Sequence, residues 1–328
     1  MKNDSHMIKG LKTGKHTIVC LLAKLQKRSF NNRPGEYLDL ELCDRSGSIT
    51  GRKWDNIEKL AGLKPGTVLE VTGDVSEYRG QMQLIINKAR VLADKDPTEF
   101  LPSYSDDDIQ AARKDLEIFI GTINDSHINR LCVKFMGSAL YPEFVKAPAA
   151  KGFHHNMIGG LLIHTVSVIR LCDNIAALYS IQGVSRDILI AGALLHDVGK
   201  IREYRYSDCI DLSDEGRLLG HITIGIGMLN DLVSDIPGFP DRYLTGLRHM
   251  ILSHHGQYEW GSPKMPKTIE ALILHHADNL DSRIEGIRKV MDEAKGQDNT
   301  WSARFDGRPF YCEGYEEDIA VINGGELF

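Results

Sequence analysis

The chain has 328 residues, 42% hydrophobic and 26% charged, which is long enough for two folding units and ordinary enough to exclude collagen-like, disordered and disulfide-scaffold classes. Its formal net charge of −6 hides an asymmetry: residues 1–95 hold 17 Lys and Arg against 11 Asp and Glu, or +6, and the remainder 22 against 34, or −12. A basic portion joined to an acidic one hints at a polyanion contact on the basic side. The six cysteines, Cys20, Cys43, Cys132, Cys172, Cys209 and Cys312, form no CxxC pair and are expected as reduced, mostly buried thiols. The most apolar stretch, Met157 to Leu171, is interrupted by His164, Thr165 and Arg170, and no signal-peptide pattern opens the chain. No membrane span is expected, and a cytoplasmic location is.

From Thr17 to Leu92 the residues alternate with period 2 between turn signals. Leu38, Leu40 and Leu42 alternate with Asp39 and Glu41; Asp44 to Gly47 is a turn, and Ile49 to Trp54 the returning strand. A helical piece over Asp55 to Ala61 precedes strands over Val68 to Val75 and Gln81 to Ile86, joined by a turn at Tyr78-Arg79-Gly80. Five strands with a helix between the third and fourth predict a Greek-key barrel of the OB type, assigned to residues 1–95.

Such barrels hold single strands through a basic groove and aromatic platforms. Tyr37, Arg52 and Trp54 should face outward from the second and third strands. Lys27, Arg28, Phe30 and Arg33 are placed in the following loop, and Tyr78 and Arg79 in the last one.

Residues 96–110 read as a linker, with Pro97, Pro102 and three consecutive aspartates; Ser105 is the expected N-cap of the first long helix. Helical periodicity then covers Ile109–Ile120, Ile128–Leu140, Met157–Tyr179, Arg186–His196, Leu219–Leu232, Arg242–His254 and Ile269–Ala294. The expected organisation is multidomain, an all-β OB-like barrel followed by an all-α domain over residues 111–300, with a tail over 301–328 whose role the pattern does not reveal.

Ten of the 13 histidines fall between residues 154 and 276. A histidine taken alone is ordinarily a packed or surface residue. Clustered with aspartates on helices, neutral imidazoles and carboxylates form the ligand set of Zn, Mn, Fe or Co.

The motifs run in the order GGLLIHT at His164, LLHDVGK at His196 and Asp197, GHI at His221, SHHG at His254 and His255, and HHADNLDS at Asp278. This series resembles the HD-domain metal-dependent phosphohydrolases over roughly residues 150–285. Coupled to an OB-like barrel, it is similar to the YhaM-type 3'-to-5' exoribonucleases over nearly the whole chain.

The resemblance implies that His164, His196, Asp197 and Asp278 hold a first divalent cation. It implies that His221, His254 and His255 hold a second, with Asp197 bridging, and that Mn, Co, Fe and Zn are all compatible. Two cations about 3.5 to 4 Å apart can position a nucleophile and neutralise the phosphoryl and leaving oxygens. Gly160 stands where three-metal relatives carry a Glu, and the GYP motif of cyclic-dinucleotide phosphodiesterases is missing. Asp197 and Lys200 are the expected catalytic residues, the lysine as a point charge for a phosphate. His154, His155 and Asn156 are candidates for substrate contact, and His275 for packing behind the ligands.

No GxxxxGK[ST], GxSxG or HExxH competes. The resulting expectation is a metal-dependent hydrolase removing nucleotides from the 3' end of single-stranded RNA, in a chain compatible with a homo-oligomer. RNA preference and polarity come from the resemblance alone. The residues leave open a phosphohydrolase of small nucleotides and a non-catalytic single-strand-binding protein.

Overall fold

Alternation at Leu38, Leu40 and Leu42 buries all three side chains, because successive residues of a strand point to opposite faces. They lie on β2 (Glu36–Asp44), between β1 (Gly14–Ser29) and β3 (Gly47–Lys53). The short helix α1 (Glu58–Ala61) leads to β4 (Val68–Tyr78) and β5 (Gln81–Val91). The sheet closes in the order β1-β2-β3-β5-β4, with β3 and β5 pairing in parallel through Thr50↔Gln83, Gly51↔Leu84 and Arg52↔Ile85. This is the expected five-stranded OB barrel, filled by Ile18, Leu22, Leu69, Val71, Leu84 and Ile86 among others. One placement is corrected: Lys27 and Arg28 belong to β1, paired with Leu38 and Tyr37, because the first strand outruns its apolar stretch.

The structure is a computed structural model that describes residues 7–30, 34–78, 81–150, 157–207, 209–294 and 308–311. Arg33, Arg79, His154, His155, Asn156 and Cys312 lie outside the described residues. The chain divides into two compact units, Met1–Arg283 and Ile284–Phe328.

Ser105 caps α2 (Asp106–Gly121) as expected, accepting from Asp108 N at 3.1 Å, with three aspartates in the first turn. There follow α3 (Ser126–Met136), α4 (Leu140–Lys146), α5 (Gly160–Leu178), α6 (Arg186–Leu195) and α7 (Lys200–Glu203). Next come α8 (Asp214–Ser234), α9 (Asp241–Ser253) and α10 (Ile269–Ala294). A two-stranded hairpin, β6 (Tyr204–Arg205) with β7 (Asp211–Leu212), departs from the all-α expectation.

The helix expected over Ile128–Leu140 stops at Met136, where the Gly137 N–H closes the turn on Val133 O, and α4 restarts the chain. By length and composition α5 would pass as a membrane span, with a mean hydropathy of 1.5, contrary to the expectation drawn from its polar interruptions. In the fold its Leu161, Leu162, Val168 and Ile169 are fully buried among α2, α4 and α6.

Barrel and helices meet directly. Leu21, Cys43 and Val68 pack with Leu101, Phe100, Ile158 and Tyr206. Ser103 N donates to Arg45 O across this seam at 3.4 Å, and the connecting segment is tied to the start of the helical part by Tyr104 N to Ile158 O at 3.1 Å and Ile158 N to Pro102 O at 2.8 Å.

Candidate functional site

His164 projects from the second turn of α5; His196 and Asp197 sit in the turn between α6 and α7; Asp278 comes from α10. The donor atoms of His164, His196 and Asp278 lie within 4.8 Å of one another, as do those of His221, His254 and His255. Asp197 stands between the two groups. Its Oδ2 is 3.5 Å from His164 Nε2 and 3.3 Å from His196 Nε2, while its Oδ1 is 3.5 Å from His221 Nε2 and 3.6 Å from His254 Nε2. The seven residues named from the sequence are thus brought to one place as two triads sharing a carboxylate.

Each ring is fixed through its other nitrogen. His196 Nδ1 faces Ala193 O at 2.8 Å, His254 Nδ1 faces Ile251 O at 2.8 Å and His255 Nδ1 faces Trp260 O at 3.0 Å. His164 Nδ1 is 2.7 Å from Asp281 Oδ2, and His221 Nδ1 is 2.9 Å from Glu203 Oε1. Carbonyl and carboxylate oxygens only accept, so Nδ1 carries the hydrogen and Nε2 is the nitrogen turned inward, as a lone pair wherever the ring is neutral. His196 Nε2, His221 Nε2, His254 Nε2 and Asp197 Oδ1 are buried with no hydrogen-bond partner. Buried polar atoms are seldom left so, and nitrogen with carboxylate oxygen is the donor set of a divalent transition ion. The residues fit two such ions.

The charges agree. Asp197, Asp281 and Glu203 are buried carboxylates, and Asp278 is nearly so; Lys200 brings an ammonium to them, its Nζ 2.6 Å from Asp197 Oδ2. Burial works against the Asp197 anion, yet Lys200 and His196 hold its carboxyl well below the usual range. Burial similarly opposes the Asp278 anion and is outweighed by His164. Burial also disfavours charge on His164, but bonds to Asp197, Asp278 and Asp281 raise it well above its ordinary value. Burial together with a neighbouring imidazole pushes both His254 and His255 down, leaving them neutral. Burial opposes the Lys200 ammonium and Asp197 more than restores it. Lys200 is therefore an ion-paired floor residue of the site rather than a solvated helix-end lysine.

The backbone serves the same end. Gly220 breaks α8 with a left-handed φ of 70°, which frees the His221 N–H to donate to Glu203 Oε1 at 2.9 Å while the ring donates to the same oxygen. At Gly199 of the HDVGK motif a Cβ would overlap the His221 carbonyl and sit 2.7 Å from Gly225 N, so α8 can approach the metal turn only over a glycine.

Asp281, Ser167 and Glu203 were missed from the sequence. Ser167 Oγ donates to Asp281 and completes its fixation of His164. Asp281 lies inside the HHADNLDS stretch, three residues after Asp278, and that spacing was its available signal. His275 is a packing residue as expected, buried with Nδ1 on His254 O at 2.8 Å. The site opens into a cleft of ≈ 440 Å³, bordered also by Tyr204, Trp260, Asn279 and Arg283.

On the barrel, Phe30, Tyr37 and Trp54 form one aromatic cluster, with ring centroids 5.2 Å (Phe30–Tyr37), 5.8 Å (Phe30–Trp54) and 4.8 Å (Tyr37–Trp54) apart. The Arg52 guanidinium bridges Trp54 at 5.7 Å and the exposed Tyr78 at 5.8 Å. Arg28 pairs with Asp39 at 3.0 Å. Arg28, Phe30, Tyr37, Arg52, Trp54 and Tyr78, from β1, β2, β3, β4 and the residues just after β1 and β3, therefore share the outer barrel surface, while Lys27 pairs with Glu36.

A family model described as OB-fold nucleic acid binding domain matches residues 19–92, and one described as HD domain matches residues 161–283. The chain is 33% identical to a 3'-5' exoribonuclease YhaM of Geobacillus sp. (strain WCH70), over 97% of this chain and 99% of the relative. It is 32% identical to the 3'-5' exoribonuclease YhaM of Bacillus subtilis (strain 168), over 93% of this chain and 98% of the relative. The Bacillus pumilus (strain SAFR-032) protein of that description is 31% identical, over 95% of this chain and all of the relative. With that identity running through barrel and helical domain alike, the chain belongs to the YhaM family of 3'-5' exoribonucleases.

Proposed function

We propose that this protein hydrolyses the phosphodiester bonds of single-stranded RNA from the 3' end, with two divalent cations held by the two triads and Asp197 between them. The observation that carries the two-ion reading is Asp197 itself: it is 2% exposed, and each oxygen faces a different pair of histidine Nε2 atoms. Such ions supply positive charge to the phosphoryl oxygens and acidify an attacking water. The chain's own part is to hold imidazole lone pairs in fixed directions, to keep Asp197 and Asp278 anionic, and to offer Lys200 as a point charge to a phosphate oxygen. Asp281 and Glu203 hold the Nδ1 hydrogens of His164 and His221 and so keep both rings aimed.

Strand holding belongs to the barrel in this proposal. Phe30, Tyr37, Trp54 and Tyr78 offer faces on which bases stack irrespective of sequence, and Arg52 and Arg28 offer phosphate contacts. RNA as substrate and the 3' polarity are taken from the family. A cytoplasmic setting is part of the same proposal, supported by buried free thiols at Cys20, Cys43, Cys132 and Cys172. The test is elemental analysis of the purified full-length chain combined with product mapping on 5'-labelled RNA. Two transition ions per chain and a ladder shortened from the 3' end are expected. Hydrolysis confined to free nucleotides would overturn the nuclease reading, and one ion with full activity the two-ion reading.

A further inference from the structure

Among the described residues bordering the metal cleft, only Tyr204 and Trp260 carry aromatic side chains other than imidazole. Trp260 is the open one, 44% exposed. A large apolar ring kept half in water beside a polar site has surface to give to a ligand.

Its position is fixed from three sides. Its carbonyl receives the His255 Nδ1 hydrogen at 3.0 Å, so the residue is one bond from the second triad. Its N–H closes the turn on Gln257 O at 3.1 Å. Two residues on, the buried Ser262 is held by Oγ contacts to Leu252 O at 3.1 Å and Lys264 O at 2.6 Å. The ring itself rests near His275, centroids 6.0 Å apart, and His275 is buried and bonded to His254 O. The main chain of Trp260 therefore keeps a constant offset from the ligands, with the indole resting toward His275. Along α10, His275, Asn279 and Arg283 recur every four residues as one wall of the cleft. A strand lying along that wall passes Trp260 at one end and a guanidinium at the other.

We propose that Trp260 is the platform on which the base of a nucleotide flanking the scissile phosphate stacks. The assignment rests on the nuclease reading above and adds to it a base-recognising element outside the barrel. It makes Trp260 a binding residue for the leaving end, able to accept any base because each has a π face.

The experiment crosses a change in the protein with a change in the substrate. Full-length parent, Trp260→Ala and Trp260→Phe are assayed on one RNA with an intact 3' end, with an abasic terminal residue, or with an abasic penultimate residue. In the parent, one of the two abasic substrates should lose roughly tenfold or more in kcat/KM, carried mainly by KM. Trp260→Ala should lose the same factor on intact RNA and show no further loss on that abasic substrate, whereas Trp260→Phe keeps most of the discrimination. Which position responds identifies the base.

An equal fall of Trp260→Ala on all three substrates, or a fall in its metal content, would overturn the proposal and leave the residue as a tether for His255. The same holds if the parent does not discriminate. A parent that degrades none of the RNAs would overturn the nuclease reading, and this assignment with it.

Discussion

Gly199 is the smallest residue of the metal turn, and replacing it should cost the most for the fewest atoms. A single methyl there would overlap the His221 carbonyl and approach Gly225 N to 2.7 Å. Both are backbone atoms of one helix, so no side chain can swing aside, and α8 must move as a unit by about 1 Å. Overpacking of this kind costs about 1 to 3 kcal/mol of stability. A misplacement of about 1 Å at a reacting centre costs on the order of 10²-fold in rate. His221 should suffer first, because its ring and its N–H depend on Glu203 Oε1, only 2.9 Å away.

Gly199→Ala is thus expected to unfold at lower temperature and denaturant, to retain the ion of the His164 triad, to lose that of the His221 triad, and to hydrolyse RNA about a hundredfold more slowly. Gly227→Ala provides the control on the same helix, since a Cβ there meets nothing within 4 Å, and it should stabilise by about 1 kcal/mol with activity unchanged. Thermal melts, elemental analysis and single-turnover cleavage on both variants decide the matter. If Gly199→Ala keeps two ions and a rate within threefold of the parent, the close approach of α8 to the metal turn is not what the glycine serves.

Asp197→Ala should lower hydrolysis by at least about 10³-fold while the far-UV circular dichroism spectrum is kept, because Asp197 puts an oxygen within 3.6 Å of histidine Nε2 atoms in both triads; activity within tenfold of the parent contradicts the shared-ligand geometry. Replacing Tyr37 and Trp54 together with Ala should weaken single-strand affinity by roughly 1 to 3 kcal/mol per base unstacked with the salt slope kept. Arg52→Gln should instead lower that slope by about 0.7 for each phosphate no longer neutralised; fluorescence anisotropy titrations across salt separate the two. Burial pushes the Cys43 and Cys132 thiols up to about 12, so at pH 8 only about one in 10⁴ is thiolate. Iodoacetamide should reach these two only in denaturant and leave them unlabelled in the native protein, as peptide mapping will show.

Deleting the barrel is a poorer probe of strand holding than these point changes, since it would strip cover from Leu101, Ile158 and Tyr206. The sequence pattern reads most reliably where chemistry is tied to short motifs. His164, the HD pair, His221, the HH pair and Asp278 are recognisable as an ordered set, and the period-2 leucines of β2 disclose the barrel. What escapes is whatever depends on distant backbone. The partners that aim the rings include Glu203, eighteen residues before His221, and Asp281, 117 residues after His164. A separation of that size leaves no periodic trace of the pairing, and for Asp281 the spacing from Asp278 is the one local hint. Two-residue strands such as β6 and β7 are too short to show alternation, and Lys27 and Arg28 look like loop because β1 continues past its apolar stretch. Trp260 carries no signal at all in the sequence, where an aromatic between helices is ordinarily packing.

The seam between barrel and helices has a consequence for how the molecule handles strands of different length. Because Leu21, Cys43 and Val68 are packed on Leu101, Ile158 and Tyr206, with the Ser103 N to Arg45 O bond across the join, the aromatic face and the metal turn are mounted on one frame. A flexible tether would let the barrel search for its strand, and its contribution would fade smoothly with length. A fixed mount acts as a gauge: an RNA long enough to occupy both stations gains the whole of the barrel's grip, and one nucleotide too few forfeits it. Degradation should therefore run fast and then stall abruptly, leaving end products of nearly uniform size set by the span between the two stations.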